Sequence, residues 1–278
     1  MPGFGLRPVP AMHTFFDFSS FGGPSAALAL AAIYATAAVF SGLSGFGFSA
    51  IGCLSLAVLP PSVGVALLMT LSLLTQAASF GSLWRELRCH LGHWTRGDGV
   101  VPYLAGGTAG MPIGLAILAA FGARDLTASL GVLLIAYATW SLLKPATLRL
   151  RNRAPSPRRA FLVGAAGGIV GGFSAFPGSA LVVWNGLVGI GKEEGRALTQ
   201  PFILWMQAIG LGLLLATRPQ LFSHTFWAVL VAAAPVALLG NLLGVAIYRR
   251  TGDVGYRTVT LLALGVSGLG LLLKTVLA

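Results

Sequence analysis

The residues able to hold a ligand are few, and they come in pairs. Ser44, Ser49, Ser174 and Ser179 bring hydroxyl groups, and Gln76 and Gln207 bring amides that both donate and accept hydrogen bonds. The serines flank two interruptions in apolar sequence, Ser41-Gly42-Leu43-Ser44-Gly45-Phe46-Gly47 and Gly171-Gly172-Phe173-Ser174-Ala175-Phe176-Pro177-Gly178. A helix broken inside a membrane opens backbone N–H groups at the start of its second half, tolerated only within protein or along a cavity. Such groups carry partial positive charge and suit an anion. Gly45, Gly47, Pro177 and Gly178 shape the breaks, Pro177 by lacking an N–H and ending the helix before it. Small residues also serve close helix contact, and a lone glutamine serves an interhelical hydrogen bond. The pairing of the breaks and of the amides favours binding: a small anion held by these residues, with no catalytic group.

The pairs belong to a longer self-similarity. Gly42, Ser44, Phe46, Ser49 and Ala50 recur 130 residues on as Gly172, Ser174, Phe176, Ser179 and Ala180. Gly110, Gly114, Ala116, Ile117 and Gly122 recur as Gly240, Gly244, Ala246, Ile247 and Gly252, and Leu142-Leu143-Lys144 as Leu272-Leu273-Lys274. Gln76-Ala77 and Gln207-Ala208, followed by Gly81 and Gly212, align at 131. Two copies of one membrane unit are the usual construction of a secondary transporter, with substrate held where they meet.

Composition sets the medium. Of 278 residues, 56% are apolar and 9% charged, and the mean hydropathy is +0.84. A soluble domain carries roughly 25% charged residues, so the chain is expected to be an all-α integral membrane protein. The 18 Lys and Arg against 7 Asp and Glu do not imply nucleic acid, because most basic residues lie in short loops that set orientation. Cys53 and Cys89 make neither a metal spacing nor a disulfide framework. No cofactor is implied, and no cleaved signal peptide is read at the start.

Apolar stretches near the roughly 20 residues that a span requires occur at 62–84, 98–121, 126–143, 198–217, 225–248 and 257–277. Regions 25–59 and 160–190 are the interrupted ones, each half too short for an upright span. Loops 85–97, 144–160, 191–197 and 249–257 hold fourteen of the eighteen Lys and Arg. Placing them in the cytoplasm obeys the positive-inside bias, puts both termini outside and gives the copies opposite orientation. The organisation is an N-terminal segment 1–24, a membrane repeat 25–144, a basic linker 145–159 and a second repeat 160–278, with eight to ten membrane segments.

Other signals are weaker. No acid or base is expected at mid-membrane depth: Arg196 is read as reaching to the surface, and Lys192, Glu193 and Glu194 as a solvated loop. Neutral donors therefore build the site, and proton coupling stays open. Asn185, Gln200 and Trp205 are assigned by sequence proximity to the second break. His13, His90, His93 and His224 fall in loops or at helix ends. Gly42-Leu43-Ser44-Gly45 matches the Gly-x-Ser-Gly of rhomboid-type proteases, but no histidine lies in an apolar segment to activate the serine.

At the duplicated motifs the chain resembles the TauE/SafE family of sulfite exporters, over about residues 25–277. The resemblance rests on Gly42–Ser49 and Gly172–Ser179, and on Gly110-x-x-x-Gly114 and Gly240-x-x-x-Gly244 with their Leu-Leu-Lys sequels. It departs from the family at the first break, where Phe46-Gly47-Phe48 stands without a proline until Pro60-Pro61. The resemblance implies a bacterial inner-membrane permease for sulfite, a sulfonate or a related organic anion. The expectation is alternating access by one copy rocking against the other; a passive anion channel is the alternative, and a membrane enzyme a more distant one.

Overall fold

The computed structural model describes residues 23–87, 99–121, 123–143, 156–188, 190, 192–250 and positions 265, 268, 269, 272 and 275. Residues 1–22 of the N-terminal segment, most of the basic linker and most of the stretch 257–277 lie outside the described residues. The described residues form helices α1 (Gly23–Ser44), α2 (Phe48–Gly52), α3 (Pro61–Ser82), α4 (Trp84–Leu87) and α5 (Val100–Ala120). There follow α6 (Ala123–Leu143), α7 (Pro157–Ser174), α8 (Gly178–Val188), α9 (Lys192–Thr217) and α10 (His224–Arg250). A 3-10 turn at Cys53–Ala57 extends α2.

Among the described residues five helices are long and apolar enough to cross a membrane: α1, α3, α5, α9 and α10. Their outer faces carry exposed Leu28, Ile113, Trp205, Val231, Leu239 and Leu243, side chains that lipid accepts and water does not. The chain is an all-α, multi-pass membrane protein. Two expectations need correction. Helix α1 has 22 residues, about 33 Å at 1.5 Å per residue, so the first half of the first interrupted region is a full-length span. The residues 192–194 read as a loop are the first turn of α9, with Glu193 and Glu194 exposed on it.

Glycine determines which helices pair. A side chain on Gly42 would overlap Asn241 O of α10, and one on Gly244 would overlap Val39 O of α1. Only helices in backbone contact pack so, through dispersion and close Cα–H to carbonyl approaches. The same relation joins α5 and α7, where Gly172 abuts Met111 O and Leu115 N, and Gly114 abuts Ile169 O. Three of these contacts recur at a shift of 130, Asn241 O as Met111 O, Val245 N as Leu115 N and Val39 O as Ile169 O.

These contacts also give direction. Ala35 meets Gly240 and Val39 meets Gly244, so α1 runs parallel to α10. Phe161 meets Gly106, Ala165 meets Gly110 and Ile169 meets Gly114, so α5 runs parallel to α7. Helix α9 runs with α5, since Phe202 lies over Gly107 and Gly210 lies near Met111. Helix α3 opposes α9, with Met69 near Gly210 and Gln76 bonded to Gln200. It accompanies α10 through Asn241 Nδ2 to Thr75 O at 3.0 Å and Arg249 Nη2 to Ser82 O at 2.9 Å. Helices α1, α3 and α10 thus run one way, and α5, α7 and α9 the other.

Candidate functional site

Both long helices break where the sequence predicts. Helix α1 stops at Ser44 because Gly45 turns left-handed, with φ of +77°, and Gly45 N closes the last turn on Ser41 O at 2.7 Å. Helix α7 stops at Ser174 the same way: Ala175 has φ of +57°, and its N bonds Gly171 O at 2.8 Å. An alanine in this region is strained, as its Cβ crowds the following carbonyl.

The breaks meet. The Phe46 and Phe176 rings stack with centroids 6.4 Å apart, and Ser49 Oγ donates to Ala175 O. A side chain on Gly178 would touch Phe46 Cβ at 3.4 Å. Tyr137 of α6 closes the cluster edge-on to Phe176 at 6.5 Å.

The serine hydroxyls are committed internally, contrary to the expectation that they are open to a ligand. Ser44 Oγ donates to Phe40 O at 2.7 Å and accepts from Gly47 N at 2.7 Å and Phe46 N at 3.3 Å. Ser174 Oγ donates to Val170 O at 2.6 Å and accepts from Phe176 N at 3.2 Å. Ser179 Oγ donates to Phe176 O at 3.0 Å. Ser44 and Ser174 cap the turns, satisfying amides that the sequence reading left open. Gly47 and Gly178 are buried at the entries to α2 and α8, and a side chain on Gly171 would press into Pro177.

The glutamines behave as a matched pair. Gln76 Nε2 donates to Gly45 O at 2.9 Å, and Gln207 Nε2 donates to Ala175 O at 2.9 Å. Each amide therefore grips the left-handed residue of one break. Gln200 belongs with the first break, not the second, because its Nε2 donates to Gln76 Oε1 at 3.2 Å. Asn185 ties α8 to α9 through Gly195 O and Thr199 Oγ1, both at 3.3 Å. Trp205 faces outward and bonds Thr108 Oγ1 at 3.0 Å.

Arg196 does not reach to the surface. It is 5% exposed, with Nη2 on Gly42 O at 2.9 Å and Nη1 on Leu43 O at 3.3 Å. Its guanidinium lies 4.3 Å from the Tyr248 ring centroid. A cation on the last carbonyls of α1 opposes the negative end of that helix and sets positive charge beside the first break. Sequence reasoning also passed over Asn241, which accepts from Ser79 Oγ at 2.9 Å. Its signal was an amide inside an apolar run, costly in a membrane unless partnered.

Two interrupted helices meeting at a buried polar centre within a multi-pass bundle are the architecture of a membrane transporter. The family model for the sulfite exporter TauE/SafE matches residues 28–271, and the chain belongs to that family. It is thereby a membrane transporter of the class that moves sulfite or related anions. No curated protein and no solved structure matches the chain.

Proposed function

We propose that the protein is a secondary transporter of the bacterial inner membrane that carries sulfite, a sulfonate or a related organic anion by alternating access. The observation carrying this reading is the contact between the two breaks, Phe46 on Phe176 and Ser49 on Ala175. There the start of α8 and the Arg196 guanidinium supply the positive potential an anion requires.

Inverted duplication supports the reading. Helices α1, α3 and α5 correspond to α7, α9 and α10 at the shift seen in the sequence, and each runs opposite to its counterpart. The halves are 25–144 and 160–278, joined by the linker 145–159. The moving bodies follow from the glycine contacts: α1 with α10, and α5 with α7, each spanning both halves. Rocking one half as a block would pull both pairs apart, so each pair moves as a unit.

Uptake into liposomes of sulfite, thiosulfate, sulfonates and carboxylates, with and without a pH gradient, tests the function. Saturable uptake with exchange of labelled for unlabelled anion is the expected result. Flux that neither saturates nor exchanges would make the protein a channel.

A further inference from the structure

The backbone, not the side chains themselves, dictates how the amides around the breaks are turned. Gly45 O accepts from Gln76 Nε2 at 2.9 Å, so turning that amide over would set two carbonyl oxygens face to face. The second hydrogen of Gln76 goes to Ser41 Oγ at 3.2 Å. Gln76 Oε1 is left to accept Gln200 Nε2 at 3.2 Å, which fixes Gln200 with its own Oε1 turned away. Ala175 O orients Gln207 by the same logic, through Nε2 at 2.9 Å.

This chain of orientation ends on two acceptors. No donor among the described residues reaches Gln200 Oε1 or Gln207 Oε1, and both side chains are 0% exposed. Buried carbonyl oxygens without donors are rare, because their lost hydration is not made good. The two glutamines sit seven residues apart on α9, roughly 10 Å along its axis, one beside each break. Ser44, Ser49, Ser174 and Ser179 offer no hydroxyl hydrogen to fill them, since each is donated to a backbone carbonyl.

We propose that this site takes its anion in a singly protonated form, hydrogensulfite rather than the sulfite dianion, with the anion's own proton donated to Gln200 Oε1 or Gln207 Oε1. A bare dianion would meet these oxygens as acceptor against acceptor. The inference rests on the permease reading and narrows its substrate to a proton-bearing anion, which leaves an unprotonated sulfonate a poor one. A proton then crosses bound to the anion, and transport linked to pH needs no buried carboxylate. Among the described residues the carboxylates are Glu86 in α4 and Asp125, Glu193 and Glu194 in the first turns of α6 and α9, and His224 begins α10. The titratable or charged groups packed around the breaks are Tyr34 of α1 on Phe48, Cys53 on Ala50 O, Tyr137 of α6 on Phe176, and Arg196 on Gly42 O and Leu43 O with Tyr248 beneath it.

The test is labelled sulfite uptake by the full chain in proteoliposomes between about pH 6 and pH 8, with sulfate and methanesulfonate as competitors that carry no proton in this range. The half-saturating concentration of total sulfite should rise about tenfold per pH unit once the dianion predominates, and stay constant when counted as hydrogensulfite. Sulfate and methanesulfonate should compete at least about tenfold more weakly than hydrogensulfite. Replacing Gln200 by methionine, the residue at its counterpart Met69, should narrow the discrimination against sulfate, as should Gln207→Met. A half-saturating concentration of total sulfite unchanged with pH, sulfate competing as well as sulfite, or discrimination unaltered in both variants would overturn the inference. Absence of saturable sulfite uptake at every pH would instead overturn the permease reading.

Discussion

Gln207 Nε2 lies 2.9 Å from the carbonyl oxygen of Ala175, tying the middle of α9 to the second break. Ala175 O also accepts from Ser49 Oγ, so three elements converge on one backbone atom.

Gln207→Leu removes one of those two donors and costs about 1 kcal/mol of stability. The protein still inserts, because the helices keep their length and apolar faces. Transport should fall at least tenfold, measured as initial uptake rate against the amount of inserted protein. Ser174→Ala, which uncaps Phe176 N, should act alike at a cost of about 1 kcal/mol. Wild-type rates in either variant would remove that residue from the site.

Arg196→Leu leaves Gly42 O and Leu43 O without their guanidinium donor. Two buried carbonyls stripped in this way cost about 2–4 kcal/mol, read as a lowered Tm in detergent. Arg196→Lys should fall between, because an ammonium is a point charge where the guanidinium is a fork reaching both oxygens. A melting curve matching wild type in both variants would show that Arg196 does not hold the end of α1.

Gly244→Leu forces a side chain into Val39 O, and Gly172→Leu does the same at Met111 O. Backbone contacts cannot yield as side chains do, so both variants should fail to give a monodisperse protein in size-exclusion chromatography. Gly212, with nothing within 4 Å of its added Cβ, is the matched control. Gly212→Ala should be tolerated and gain up to about 1 kcal/mol of helix propensity.

Ala175→Gly removes the left-handed strain that its φ of +57° imposes. The gain should be up to about 1 kcal/mol, since relief of about 1–2 kcal/mol is partly offset by the greater backbone freedom of glycine. Gly45→Ala should do the reverse and more, because its φ is +77° and the new methyl would lie 3.0 Å from Arg196 Nε. Thermal denaturation of the two variants side by side gives the sign.

The break positions were legible because glycine, serine and proline are conspicuous in apolar sequence, and because Gly42–Ser49 returns as Gly172–Ser179. The membrane class followed from composition. Other features were hidden for physical reasons. Arg196 sits only four residues into α9, where an arginine ordinarily reaches water; its burial depends on the end of α1 arriving beside it. Gln200 is closer along the chain to the second break, yet α9 runs past both, and tertiary packing gives it to Gln76. The state of the serine hydroxyls was illegible too, since a sequence does not say whether an oxygen turns back onto its own helix.

The α1–α10 contact has a bearing on biogenesis. Helix α1 enters the bilayer about two hundred residues before its glycine-matched partner is synthesised, and α5 likewise waits for α7. Early in translation the nascent protein presents notched, unmatched surfaces to lipid or to the insertion machinery. Its native assembly is consummated only when the last of these partners arrives, so a ribosome stalled before α10 would leave a product that inserts yet never matures.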